Sequence, residues 1–109
     1  MEELAYKIKA DFLKALSHPL RLQAIEFLKN GEKNVSTIIK ALGIPQSSLS
    51  RHLSILREAG ILKSRQQGTV IYYDIENHDI FHVLRPIAEM LRKKLKKTEM
   101  VLESLGKEK

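Results

Sequence analysis

The sequence has 109 residues, 43% hydrophobic and 29% charged, a balance that suits one modest folded core and excludes a wholly disordered chain. It contains no cysteine, which removes disulfides, thiolate metal sites, thiol redox switches and cysteine nucleophiles. A formal charge of +6 suits a polyanionic partner, nucleic acid being the commonest soluble one.

Length predicts a single domain over residues 1–109. No apolar run approaches the roughly 20 residues of a membrane span, and "MEELAYKIK" lacks the basic-then-apolar plan of a secretory signal, so no membrane partner and a cytoplasmic location are expected. Leu4, Ile8, Phe12 (or Ala15) and Leu16 recur every three to four positions and predict a first amphipathic helix. Ser17-His18-Pro19 interrupts it. A second helix runs from about Pro19 to Lys29, with proline in its first turn, Leu20, Ala24, Ile25 and Leu28 inward, and Asn30-Gly31 as its stop. Asn34 caps a third, "VSTIIKAL", which ends at Gly43.

A fourth helix is predicted over 45–60. At 100° per residue Leu49, Leu53 and Leu56 gather on one side, and Gln46, Ser47, Ser50, Arg51 and Ser54 on the other. A polar helix face is by itself usually only solvated. Residues 61–76 then carry β-branched and aromatic side chains around a Gln67-Gly68 turn, the pattern of a two-stranded hairpin whose tip exposes Arg65, Gln66, Gln67 and Thr69. From 77 to 105 the pattern is helical again. Leu84, Ala88, Leu91, Leu95, Thr98, Leu102 and Leu105 alternate steps of four and three, the seam of a helix that packs on another long helix. The simplest partner is a second copy of the chain, with the N-terminal helix (Leu4, Ile8, Phe12) adding to the same surface. Pro86 removes one backbone hydrogen bond and should kink this helix or split it after Leu84.

Two short helices joined by a tight "GIP" turn and followed by a hairpin make a winged helix-turn-helix, mainly α with a small β-hairpin in the order α-α-α-α-β-β-α. "FLKALSHPLRLQAIEFL", "QSSLSRHLSILREAGIL" and "GTVIYYDI" together resemble the ArsR/SmtB family of bacterial and archaeal repressors over about residues 10–76. The resemblance implies a homodimer through the first and last helices, with the fourth helix entering the major groove of double-stranded DNA. A two-fold dimer would set two such helices about 34 Å apart and predict a palindromic operator.

On that reading Gln46, Ser47, Ser48, Ser50, Arg51 and Ser54 are candidates for DNA contact, with short side chains that allow close approach. Arg51 is the strongest base reader, because a guanidinium pairs bidentately with guanine. His52 falls at the edge of the packed side, and a half-buried structural role and a phosphate contact stand even. Lys63, Arg65 and Gln67 on the wing would reach a phosphate or the minor groove, unless they form an ordinary charged hairpin tip. The run Arg92, Lys93, Lys94, Lys96, Lys97 reads as the solvated outside of the last helix, since Leu91 and Leu95 interrupt it at helical spacing.

Many members of the family sense metals through third-helix cysteines or a carboxylate-and-histidine set on the last helix. The first route is closed here, and the second pattern falls on Glu76, His78, Glu89 and Arg92, where arginine cannot ligate. His78 and His82, one turn apart, with Asp79 or Glu89 adding oxygen ligands, are the remaining metal candidates, but surface histidines on a helix are more often unligated, and no cofactor or metal is assigned. No effector, small molecule or ion, is named by the residues. No nucleophile-base pair or phosphate loop supports an enzyme. The sequence therefore predicts a DNA-binding regulator, a repressor by resemblance. Two rivals use the same fold: a non-specific architectural DNA-binding protein, and a module whose winged helix docks another protein.

Overall fold

In the computed structural model, which describes residues 1–106, α1 (Glu2–Leu16) ends where Ser17 turns back on it, its amide and hydroxyl both donating to the Lys14 carbonyl. Pro19 then opens α2 (Pro19–Phe27) at the first helical position, where an amide hydrogen would have no partner within the helix, and His18 caps it, Nδ1 accepting from the Leu20 amide at 3.1 Å. Asn34 caps α3 (Val35–Leu42) through its side-chain oxygen, 2.8 Å from the Thr37 amide. Gly43 ends α3 in the left-handed conformation, at φ 65°, which a residue with a Cβ adopts only at a cost. That glycine lets the chain reverse in Gly43, Ile44 and Pro45 before α4 (Gln46–Glu58) begins.

The hairpin consists of β2 (Leu62–Gln67) and β3 (Val70–Ile75), antiparallel, with Gln67 opposite Val70. Its turn is Gly68-Thr69, one residue later than the sequence suggested: Gly68 has φ 64° and Thr69 does not, the sign pattern of a type II′ turn, whose twist matches the flanking strands. A second correction concerns the number of strands. Lys33–Asn34 forms β1, pairing with Tyr73 and Tyr72 on the outer side of β3, so the hairpin becomes a three-stranded sheet in the order β1-β3-β2 and the chain order is α-α-β-α-α-β-β-α. Two residues carry no alternation, and only the free edge of β3 recruits them.

Residues Met1–Asn77 form one compact unit, and the chain from His78 forms another. In the first, Ala24, Ile25, Leu28, Ile38, Leu49, Leu53 and Leu56 are fully buried, joined by Leu16, Ile61, Leu62, Tyr73 and Ile75, and none of the described polar or charged residues is buried. Each fully buried leucine or isoleucine side chain contributes about 1.5–3 kcal/mol by leaving water. Leu4 and Ile8 of α1 are left exposed.

The second unit is built on α5 (Ile80–Gly106), which runs unbroken through Pro86. The split expected after Leu84 does not occur: a proline six residues into a long helix removes one bond, to His82, while the turns on both sides keep theirs. Along α5, Leu91, Leu95, Leu102 and Leu105 are all exposed, with Val83, Ile87, Met90 and Val101 widening the apolar stripe.

Candidate nucleic-acid interface

Helix α4 is divided by its periodicity. Leu49, Leu53 and Leu56 are fully buried, which fixes the rotation of the helix and turns Gln46, Ser47, Ser48, Ser50 and Arg51 outward, all exposed. Ser54 and His52 lie at the margins of that face, half-buried. Arg51 makes no hydrogen bond or ion pair with any described residue, so its donors are available to a ligand. Between α3, α4 and β3 opens a cleft of about 320 Å³ whose walls include Ser36, Gln46, Ser50, Thr69 and Ile71. It places the polar face of α4 beside the turn of the hairpin. Ser36 was not singled out from the sequence, since a serine in the first turn of a helix reads as ordinary helix chemistry.

His52 has turned towards α2. Its ring centroid is 4.2 Å from that of His18, and Arg21 Nη1 lies 3.5 Å from its Nδ1. A nitrogen facing a guanidinium acts as acceptor, which belongs to the neutral ring. Burial pushes the His52 pKa down, and the neighbouring charges of His18, Arg21 and Arg51 add to the effect. The contacts are those of the structural alternative. Because the unfolded chain takes up this proton more readily than the folded one, the stabilisation is complete above the ordinary histidine value of 6.5 and is lost as pH falls below it. Melting followed by circular dichroism should therefore show a lower Tm at about pH 5.5 than at about 7.5, and His52→Gln should shrink that difference. An unchanged pH dependence in the variant would assign it to other groups.

The wing residues differ in what holds them. Lys63 and Gln67 are exposed. Arg65, expected at the tip, sits within β2 and is engaged: its guanidinium lies 4.2 Å from the Tyr72 ring centroid and pairs with Glu32. The Arg65 guanidinium, chiefly through this hydrogen bonding, holds the Glu32 carboxyl below the usual carboxylate range, and Glu32 in turn raises Arg65. Arg57 Nη1 donates to Ser64 Oγ at 3.3 Å, tying β2 to α4. Glu32 was missed because its partner is 33 residues away, and separation of that kind leaves no local pattern.

The metal candidates are engaged elsewhere. Glu89 pairs with Arg92 at 2.6 Å, His82 Nε2 lies 3.9 Å from Asp79 Oδ1, and the His78 ring packs on Phe81. Among the described residues no three His, Asp or Glu side chains converge, and a donor set of Glu76, His78, Glu89 and Arg92 does not fit a metal ion, since its fourth member is a cation. No described helix is long and apolar enough to cross a membrane.

A pair of short helices joined by a three-residue turn, the second exposing a polar face beside a twisted hairpin, defines a winged helix-turn-helix protein. The model of a family described as "Bacterial regulatory protein, arsR family" matches residues 18–64, and a Mycobacterium tuberculosis (strain ATCC 25618 / H37Rv) "Uncharacterized HTH-type transcriptional regulator Rv0081" is 35% identical over 94% of this chain and 91% of its own. The chain belongs to the arsR family, a family of transcriptional regulators rather than enzymes. The "Transcriptional repressor PagR" of Bacillus anthracis is 38% identical, over 80% of this chain and 91% of its own. The crystal structure of M. tuberculosis Rv0081 superposes with a TM-score of 0.78 at 33% identity, covering 86% of this chain and 95% of that one. The solution structure of the homodimeric winged helix-turn-helix DNA-binding domain Mb0332 from Mycobacterium bovis gives 0.77 at 27% identity, covering 88% and 89%.

Proposed function

We propose that this chain is a sequence-specific repressor that binds a palindromic operator as a homodimer, with α4 in the major groove and the wing against the neighbouring backbone. The observation that carries the reading is the division of α4: three leucines completely buried on one side and an uncommitted row of short polar side chains with a free guanidinium on the other. Short side chains let the helix approach base edges, and Arg51 supplies the bidentate donor that reads guanine. Ser47, Ser48, Ser50 and Gln46 supply hydroxyl and amide groups for bases and phosphates, and Lys63 and Gln67 follow the backbone from the wing.

The exposed stripe of α5 supports the homodimer, with Leu84, Ala88, Leu91, Leu95, Thr98, Leu102 and Leu105 as its seam and Leu4, Ile8 and Phe12 of α1 as a second contribution. The names of relatives agree: one is called a repressor, and one neighbour's domain is described as homodimeric and DNA-binding. With no cysteine in the sequence, thiolate sensing lies outside its chemistry.

Selection of bound duplexes from a random DNA pool, followed by titration of the winner against a scrambled duplex at near-physiological salt, tests this reading. The expected result is a palindromic winner preferred by at least ~10³-fold. A ratio near one with strong salt dependence would indicate an architectural protein, and no binding a protein-docking module.

A further inference from the structure

Arg65 is fixed from three sides before any ligand arrives. In the sheet it stands opposite Tyr72, and Tyr72 stands opposite Asn34 on its other side, so the arginine lies across the row towards β1 and reaches Glu32 just before it. Nε donates to the two carboxylate oxygens of Glu32 at 3.2 and 3.0 Å, Nη2 donates to Oε1 of the same group, and Nη1 donates to Gln67 Oε1 at 3.0 Å. The carboxylate thus takes the side edge of the guanidinium, which also rests on the Tyr72 ring. Five N–H groups are carried by a guanidinium, and these contacts use three. One remains on each terminal nitrogen, and half of the side-chain surface is still open, at 50% exposure.

We propose that Glu32 is a positioning residue for DNA binding: it holds Arg65 flat on the wing with its two remaining N–H groups presented to a backbone phosphate of the duplex. This rests on the DNA-binding reading above. A free arginine on a hairpin samples many rotamers and must be immobilised by its ligand; one clamped by carboxylate, amide and ring has already been ordered. The two terminal N–H groups match the paired oxygens of a phosphate. Glu32 adds no DNA contact of its own, and its effect passes entirely through Arg65.

The test is operator affinity of wild type, R65A, E32Q and the double variant across a potassium chloride series, with Tm recorded for each. R65A should weaken binding about 10-fold and reduce the slope of log affinity against log salt by about two, because one phosphate contact disappears in each half-site of the dimer. E32Q should weaken binding about 3- to 10-fold while keeping the slope, since the arginine charge is still there, and should add nothing in the R65A background. If E32Q lowers Tm so far that binding cannot be compared, E32D keeps the charge with a shorter reach, and an intermediate loss is expected. Tighter binding by E32Q would show that Glu32 competes with DNA for the guanidinium and overturns the proposal. Unchanged binding with a lower Tm does the same, leaving a staple between β1 and the wing. Wild type that binds no duplex overturns the DNA reading and this proposal together, whereas wild-type binding with an indifferent E32Q overturns this proposal alone.

Discussion

Leu95→Asp should convert the dimer to monomers and bring operator affinity down to the non-specific level, a loss of about 10³-fold or more. Leu95 is 67% exposed on a single chain, in the middle of a stripe that includes Leu91 and Leu102. An apolar face of this length on a helix is stable in water only when something covers it. In a two-fold interface each substitution is made twice, so two carboxylates would have to lose their water, at several kcal/mol each. On the proposed reading operator recognition depends on the dimer, because two half-sites would be read by two tethered helices. Sedimentation velocity would give the oligomeric state and fluorescence anisotropy the affinity. Circular dichroism should show the helices of residues 1–77 retained, since Leu95 contributes nothing to the buried core of the single chain. A variant that still sediments as a dimer would remove α5 from the interface.

Arg51→Ala has the second largest expected effect. Loss of a bidentate guanine contact costs on the order of 1–3 kcal/mol, and the dimer loses one in each half-site, so affinity for the operator should fall by about 10²-fold or more. The informative readout is the sequence preference. One base position in each half-site should become indifferent, whereas affinity for a scrambled duplex should fall much less. Arg51→Lys should not restore the preference, because an ammonium cannot reproduce the planar fork. Equal losses on operator and scrambled duplex would make Arg51 a phosphate contact. Stability should stay within about 0.5 kcal/mol of wild type, as an exposed side chain without a hydrogen bond or ion pair predicts.

The parts of this molecule that were legible in the sequence are those written in a local period. Leu49, Leu53 and Leu56 repeat at helical spacing, so the buried and outward faces of α4 follow from arithmetic, and Asn34 and Gly43 mark the ends of α3 by chemistry that depends on a few neighbours. What was not legible depends on distant residues. The strand β1 exists because Lys33 and Asn34 meet Tyr73 and Tyr72, not because of anything in those two residues. The hairpin turn was displaced by one position because either neighbour of Gly68 can share the bend, and only strand register decides between them. Arg65 reads as a free wing cation until Glu32 is found beside it. His52 stands between two roles in the sequence, and nothing local announces that α2 brings His18 and Arg21 against it. Pro86 shows the opposite case: of the kink or split it predicts, the split does not occur, because the helix continues for many residues beyond it.

No polar or charged residue is buried among the described residues of the core, although the Nε atom of Arg21 is, and this has a consequence for how this molecule can change. The three leucines that anchor α4 are separate from the row of Gln46, Ser47, Ser50 and Arg51 that it displays. The leucines hold it by apolar packing, and Gln46, Ser47, Ser50 and Arg51 make no side-chain hydrogen bond or ion pair with a described residue, so the outer row can be exchanged as a set. Gene duplication followed by substitutions at Gln46, Ser47, Ser50 and Arg51 would give a new addressee on an old body. The same separation makes α4 a convenient cassette for an engineer who wishes to redirect the protein to another site.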